Sequence, residues 1–480
     1  MIALVLAATM LTPMQVLDEA RAAYGQLAHG AYRIEERETA FGGTITFERV
    51  QDGANYQETV HNGDFTTAAG YLDGTAWRQN PNGIVVLRNR RPITSDPYLL
   101  ALSTPDSGNQ LRVLDTNGEI VLEITPRKGL VQRRYYDPKT FLLQRVEYDD
   151  TRGEESYVFS DYRSFYGQTM PMRVQFNNQF PEDAWTSDVI SFEQIPEDSV
   201  HLAIPQNRPV FDVGDHASLP IPTQFTAAGI VVRVTVAGRG LDFLLDSGAS
   251  ASVIDANVAR ELGLTVVQQR SFEFMGTVKD GLTMISDLAV GDIHARHFAI
   301  DAIPFSLKDG DHQIVGLLGA DFFASARVAI DFGAQTVTML SPAAALPSTG
   351  WTKLPIEVTN LVPYTHASFN GVRGTFVVDT GATDTLLFPH YFANFKADKP
   401  GEVIGRMEGI SGELHDYRKY QFSRLDLGDL AFTDVSADVM SGQNTELMIG
   451  ADGLLGRNIW NNFSMIFDYA DESIYIKPEL

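Results

Sequence analysis

The stretches Phe243-Leu244-Leu245-Asp246-Ser247-Gly248-Ala249 and Phe376-Val377-Val378-Asp379-Thr380-Gly381-Ala382 decide how this chain is read. Each is an apolar strand that ends in Asp, a hydroxyl residue, Gly and Ala. Each follows a shorter strand and a glycine turn, at Val236-Ala237-Gly238-Arg239 in the first and Phe369-Asn370-Gly371-Val372 in the second. The likeness runs outward through Val290-Gly291-Asp292-Ile293 and Leu427-Gly428-Asp429-Leu430, then Gly316-Leu317-Leu318-Gly319 and Gly453-Leu454-Leu455-Gly456, and ends at Asp331-Phe332 and Asp468-Tyr469. The aspartates are 379 − 246 = 133 residues apart and the later landmarks 428 − 291 = 137, so four extra residues fall in one interval of the second copy. In both copies that interval holds a glycine-bearing hairpin, around Met275-Gly276-Thr277 and around Gly409-Ile410-Ser411-Gly412. Length variation confined to one hairpin predicts a surface flap over a fixed scaffold.

One Asp after an apolar strand is ordinarily a turn or cap residue. Two equivalent ones carry a different implication, because duplicated lobes packed as a pseudo-dimer bring equivalent residues to their two-fold axis. Asp246 and Asp379 would then meet as one acid and one base, able to activate a water and protonate a carbonyl without a covalent intermediate, a cofactor or a metal. The neighbours fit this scheme as positioning residues. Ser247 and Thr380 carry hydroxyls that can bond across to the opposite loop, Gly248 and Gly381 allow tight turns with N–H groups near the carboxylates, and Gly276 and Gly409 mark the flap tips. Leu317-Leu318-Gly319 and Leu454-Leu455-Gly456 read as buried strand ends where glycine lets the Asp loop pack closely.

Asp246-Ser247-Gly248-Ala249 and Asp379-Thr380-Gly381-Ala382-Thr383-Asp384-Thr385, each followed by a hydrophobic-hydrophobic-Gly element, resemble aspartic peptidases over about residues 225 to 480. The Ala after each Gly is more like the retropepsin-like branch than the pepsin branch. The resemblance implies a β-barrel-like lobe around each aspartate, a cleft for an extended peptide, and Asp246 with Asp379 as the dyad. A proton shared between two close carboxyl groups is the known behaviour of such dyads in aspartic proteases. Ala249 and Ala382 lack a hydroxyl that could donate to the carboxylates, which predicts a less acidic working range than in pepsin-like relatives. The first flap carries Phe272, Phe274 and Met275 and no tyrosine.

Before the repeats, residues from about Ala31 to Val200 read as short strands between turn signals such as Asn62-Gly63-Asp64 and Pro81-Asn82-Gly83, predicting a largely antiparallel sheet. Its many aromatics, among them Tyr135, Tyr136, Tyr148, Tyr157, Phe159, Tyr162, Phe165 and Tyr166, are expected to coat one face. Val16, Ala20, Ala23 and Leu27 have helical spacing. One helix before a long meander resembles, without a specific motif, the half-barrel of outer-membrane lipoprotein carriers over about residues 15 to 200. Ile2 to Leu11 is an apolar run like the core of an export signal, though no basic residue precedes it. The expected organisation is an export signal at 1–14, an accessory domain at 15–204, a proline-rich linker at 205–225, peptidase lobe 1 at 226–340, a linker at 341–350 and lobe 2 at 351–480. The fold class is mainly β: two pseudo-symmetric barrel lobes preceded by an antiparallel domain with one helix.

Composition bounds the alternatives. At about 150 residues per domain, 480 residues predict roughly three domains. With 44% hydrophobic residues and no apolar run near the roughly 20 needed to span a bilayer as a helix, a membrane span is not expected. The 37 basic and 61 acidic residues give a net charge of −24, which disfavours nucleic acid as a partner. The count of 0 Cys excludes disulfides, thiolate metal sites and a cysteine nucleophile, and suits a bacterial periplasm or a secreted protein. His294 and His297 lack a third ligand at useful spacing and read as surface residues. Asn462-Phe463-Ser464, a glycosylation sequon, is expected in a helix after Gly456 and reads as incidental. The expected activity is that of an aspartic endopeptidase acting on peptide or protein substrates as a monomer that carries both lobes. The alternative is an exported lipid or lipoprotein carrier whose peptidase-like lobes are an inactive scaffold.

Overall fold

The computed structural model describes residues 11–25, 30–40, 43–53, 55–87, 108–116, 118–125, 131–150, 153–178, 184–273, 277–346, 349–359, 361–395, 402–408, 414–440 and 451–478. Two compact units emerge, one from residues 1–78 with 87–204, the other from residues 79–86 with 205–480.

The first unit begins with the helix Pro13–Tyr24. Thr12 caps it by accepting from the Gln15 N–H, the Gln15 side chain bonds back to Thr12, and Pro13 supplies a preset φ at the first turn. The helix stops at Tyr24, where Gly25 takes a positive φ of 78°, and Leu27 lies outside the described residues. Val16, Leu17, Ala20 and Tyr24 are buried against Leu122, Ile124, Tyr136, Leu143, Val146 and Phe159.

The strand Ala31–Ala40 pairs on one side with Gly43–Asp52, which leads through Asn55–Asn62 to Phe65–Leu72. On its other side lies the last strand of the unit, Trp185–Ile195, followed by Gln168–Asn177, Gly153–Phe165, Leu143–Asp150, Val131–Tyr136, Glu119–Thr125 and Gln110–Thr116. All these pairings are antiparallel. The aromatics do not share one face, since adjacent strand residues point to opposite sides. Tyr136 is buried under the helix, whereas Tyr135 bonds Glu147 and stacks with the Arg145 guanidinium, and Phe165 packs in a separate cluster with Ile34, Met170 and Met172.

In the second unit each repeat closes on itself. The first lobe joins Ile230–Val236, Arg239–Leu245, His312–Leu318, Val253–Asp255, Ile293–Ile303 and Thr277–Val290 in order, and the last of these returns to pair with the first. The second lobe repeats the pattern with Val362–Phe369, Val372–Val378, Gly453–Leu455, Leu386–Leu387, Leu430–Met440 and Leu414–Leu427, and closes in the same place. The first hairpin of each lobe turns on two left-handed residues, Ala237-Gly238 and Asn370-Gly371, the geometry that matches strand twist. A six-stranded sheet joins the lobes by pairing Arg327–Asp331 from the first repeat with Phe463–Asp468 from the second. The sequon therefore runs into a strand, because the helix Arg457–Trp460 has ended before it.

Residues 205–225 contribute the strand Ser218–Ile221 to the six-stranded sheet and bury Phe211 and Val213 in the common core. Gln79–Val86, distant from the repeats in sequence, also belongs to this unit. Ile84 is buried there against Ala320 and Leu361.

Candidate active site

Each aspartate stands at the end of a parallel strand pair. Asp246 N–H donates to Leu318 O at 2.9 Å and Asp379 N–H to Leu455 O at 3.1 Å, so the hydrophobic-hydrophobic-Gly element anchors the start of each Asp loop. The glycine that ends this element allows the approach, since a Cβ at Gly319 would lie 2.3 Å from Ala251 O and one at Gly456 would lie 2.4 Å from Asp384 O. The loops are closed alike: Gly319 N–H donates to Ser252 Oγ and Gly456 N–H to Thr385 Oγ1, both at 3.1 Å.

Across the pseudo-two-fold, Ser247 N–H donates to Thr380 Oγ1 and Thr380 N–H to Ser247 Oγ, both at 3.0 Å. Each hydroxyl then donates onward, Ser247 to Val378 O at 2.7 Å and Thr380 to Leu245 O at 3.0 Å. Gly248 N–H and Ala249 N–H donate to Asp246 Oδ1 at 2.9 and 3.2 Å, and Gly381 N–H and Ala382 N–H to Asp379 Oδ1, both at 2.9 Å. A Cβ on Gly248 would lie 2.6 Å from Cγ of Asp379, and one on Gly381 would lie 2.5 Å from Cγ of Asp246. Each glycine thus makes room for the carboxyl group of the other lobe.

The two carboxyl groups are near enough to perturb each other's ionisation. Asp246 is raised well above the ordinary carboxylate range, first by burial and then by the charge of Asp379. Asp379 is raised by burial too, but the N–H groups of Ala382 and Gly381, the neighbouring Asp246 carboxyl and the positive charge of Arg457 oppose the rise. The pair titrates as a unit, and one proton is shared between its two carboxyl groups.

Three further residues of this region were not expected from the sequence. Arg457 is buried beside Asp379 and reaches across to the first lobe, donating from Nη2 to Ala227 O at 2.7 Å and from Nη1 to Thr226 O at 3.4 Å. The contrast between Gly319-Ala320 and Gly456-Arg457 at equivalent positions is the signal that could have found it. Tyr469 is buried and stacks on Phe323, with its hydroxyl unpartnered among the described residues, and burial together with the charges of Asp246 and Asp379 holds it neutral. Asp321 is buried behind the Asp246 loop and accepts from Ser252 N–H at 2.9 Å.

Both expected flaps are antiparallel hairpins, Val267–Glu273 with Thr277–Val290 and Glu402–Glu408 with Leu414–Leu427. Gly276, Gly409, Phe274 and Met275 lie outside the described residues, and so does the run Ile2 to Met10. His294 pairs with Asp287 at 3.0 Å on the surface. Among the described residues no group of three or more His, Asp or Glu is placed to hold a metal ion.

Residues 232–322 and 365–459 each match the aspartyl protease family model, so both repeats carry this family's pattern. No curated protein matches the chain. Among solved structures, a retropepsin-like aspartic protease from Rickettsia conorii is similar at 22% identity, over 26% of this chain and 89% of its own, with a TM-score of 0.22. A putative outer membrane lipoprotein-sorting protein domain from Vibrio parahaemolyticus is similar at 12% identity, over 38% of this chain and 91% of its own (TM-score 0.29). A LolA superfamily protein from Nitrosomonas europaea is similar at 11% identity, over 39% and 97% (TM-score 0.30). The lipoprotein-sorting likeness falls in the N-terminal region.

Proposed function

We propose that the protein is an aspartic endopeptidase in which Asp246 and Asp379 act together on a water held between them. The observation that carries this reading is the reciprocal fit of the two loops: each carboxyl group sits against the other lobe's glycine, and Ser247 and Thr380 exchange hydrogen bonds between the loops. The ionised member of the pair, supported like its partner by two N–H donors on Oδ1, takes a proton from the water as it attacks the peptide carbonyl carbon. The protonated member gives its proton to the carbonyl oxygen, which leaves a neutral tetrahedral diol. On collapse the amide nitrogen takes up the proton held by the first carboxyl group, the second takes back a proton from a diol hydroxyl, and the C–N bond breaks to leave an acid and an amine. The hydroxyl exchange between Ser247 and Thr380 keeps the carboxyl groups at working distance throughout.

Peptide or protein is the substrate class, and one chain supplies both halves of the site, so a monomer suffices. A bacterial periplasmic or secreted setting suits a chain with 0 Cys. The test is cleavage of a mixed peptide library by the parent and by Asp379→Asn, with and without a pepstatin-type inhibitor. Cleavage that Asp379→Asn abolishes supports the reading. Cleavage that persists in the variant assigns the activity to a contaminant, and no cleavage by the parent favours the carrier alternative.

A further inference from the structure

The two lobes solve one structural problem in different ways. Thr385 and Ser252 stand at the same offset from their aspartates (385 − 379 = 6 and 252 − 246 = 6), and Asn458 and Asp321 at the same offset from the glycines Gly456 and Gly319 (458 − 456 = 2 and 321 − 319 = 2). In the second lobe Asn458 does two things. Its Oδ1 accepts from Thr385 N–H at 2.9 Å, and its Nδ2 donates to Ser436 O at 3.0 Å, tying the Asp379 loop to the neighbouring strand. In the first lobe Asp321 accepts from Ser252 N–H at 2.9 Å, but a carboxylate has no N–H to offer the carbonyl of Ala299, which is the counterpart of Ser436 (436 − 299 = 137).

The missing donor comes from Asn82. Its Nδ2 donates to Ala299 O at 2.8 Å and to Asp321 Oδ1 at 3.0 Å, and its Oδ1 accepts from Ala299 N–H at 2.8 Å. Asn80 Nδ2 adds a second donor to Asp321 Oδ1 at 3.2 Å. The segment that carries them is stiff. Asn80 Oδ1 accepts from Asn82 N–H at 3.1 Å and Ile84 N–H at 2.9 Å, Gly83 adopts φ 81°, Ile84 is buried on Ala320, and Val85 N–H donates to Asn207. Asp321 is only 2% exposed, and burial raises its carboxyl while these donors oppose the rise. The bonds connect to the aspartate through Ser252, whose hydroxyl accepts from Gly319 N–H, and through Ala320 N–H donating to Ala249 O.

We infer that Asn82, assisted by Asn80, is a positioning residue for Asp246: it supplies the first lobe with the amide bridge that Asn458 provides within the second. This rests on the reading of Asp246 as half of a catalytic pair, and it makes residues 79–86 a working part of the peptidase unit.

The experiment is a cycle in the full chain: parent, Asn82→Ala, Asp321→Asn and the double variant. Asparagine at 321 can accept from Ser252 and donate to Ala299, as Asn458 does in its lobe, so it should replace the bridge. Asn82→Ala is expected to lower kcat about tenfold with KM changed less than about twofold, and the double variant to recover to within about threefold of the parent. Amide hydrogen exchange supplies a readout independent of peptidase activity. Exchange in 246–255 should accelerate in Asn82→Ala, stay unchanged in 379–388, and return toward the parent in the double variant. If the parent cleaves nothing, the endopeptidase reading fails while the exchange cycle still tests the bridge. Should Asn82→Ala not fold, a folded double variant supports the inference. Unchanged exchange in Asn82→Ala, equal acceleration in both loops, or a double variant no better than the single one overturns it.

Discussion

Ser247 and Thr380 hold each other's backbone N–H at the same distance, 3.0 Å in both directions, and both side chains are fully buried. Removing either hydroxyl leaves an N–H and a carbonyl without partners in a closed interior, which costs more than one exposed hydrogen bond. Thr380→Val is therefore expected to destabilise the second unit by about 2–4 kcal/mol and to lower kcat more than it raises KM. Ser247→Ala should do likewise. The two changes combined should cost clearly less than their sum, because either one already breaks the exchange. Urea unfolding and steady-state kinetics on the three variants check this, and full additivity would show that the hydroxyls act independently.

The pH dependence follows from what the loops lack. Only backbone N–H groups donate to Oδ1 of each aspartate from residues 248, 249, 381 and 382, since Ala249 and Ala382 have no side-chain donor. A serine hydroxyl at each position would favour the ionised pair and lower its first macroscopic pKa. Ala249→Ser with Ala382→Ser should move the acidic limb of kcat/KM down by about half to one pH unit. An acidic limb that stays where the parent has it would sink this account of the working range.

How much of this was legible in the chain depends on where each partner sits. The barrel hairpins were readable because Asn370-Gly371 and Ala237-Gly238 declare their turns locally, and the aspartate pair because duplication writes the same motif twice. Asn82 was not readable as a partner of Asp321: it looks like one more turn asparagine, and 239 residues separate the two. Arg457 was hidden for a related reason, since its Ala227 contact crosses between lobes. Proline-rich 205–225 looked like a spacer, yet Phe211 is buried and Ser218–Ile221 pairs in the central sheet; proline at 220 is compatible because this strand lies at the sheet edge.

The first unit carries its own titration. Glu38 lies in phase with buried Ile34 and Ala40 on the strand Ala31–Ala40, and burial, with Glu36 and Glu58 adding repulsion, pushes its carboxyl up to about 7. The folded state therefore binds more protons than the unfolded chain between the ordinary value of 4.5 and about 7. Stability is lost as pH rises through that window. Glu38→Gln should leave stability near pH 4 unchanged and raise it above pH 7 by up to about 3 kcal/mol. Urea unfolding of the full chain at pH 4.5 and pH 8 measures the difference, and equal midpoint changes at both values would contradict it.

Arg457 joins two effects that substitution can separate. Its guanidinium fastens the second lobe to the carbonyls of Thr226 and Ala227, and its positive charge holds Asp379 lower than burial alone would. Arg457→Met removes both, so the second unit should lose stability and the acidic limb of kcat/KM should move to higher pH, because the pair ionises less readily without a neighbouring cation. Arg457→Lys keeps a charge but not the planar fork that reaches two carbonyls at once. Its stability should fall too, while its acidic limb stays close to the parent's. A Met variant whose pH profile overlays the parent's would mean that the charge of Arg457 does not reach the pair. A Lys variant with full stability would mean that the fork is not what binds the lobes.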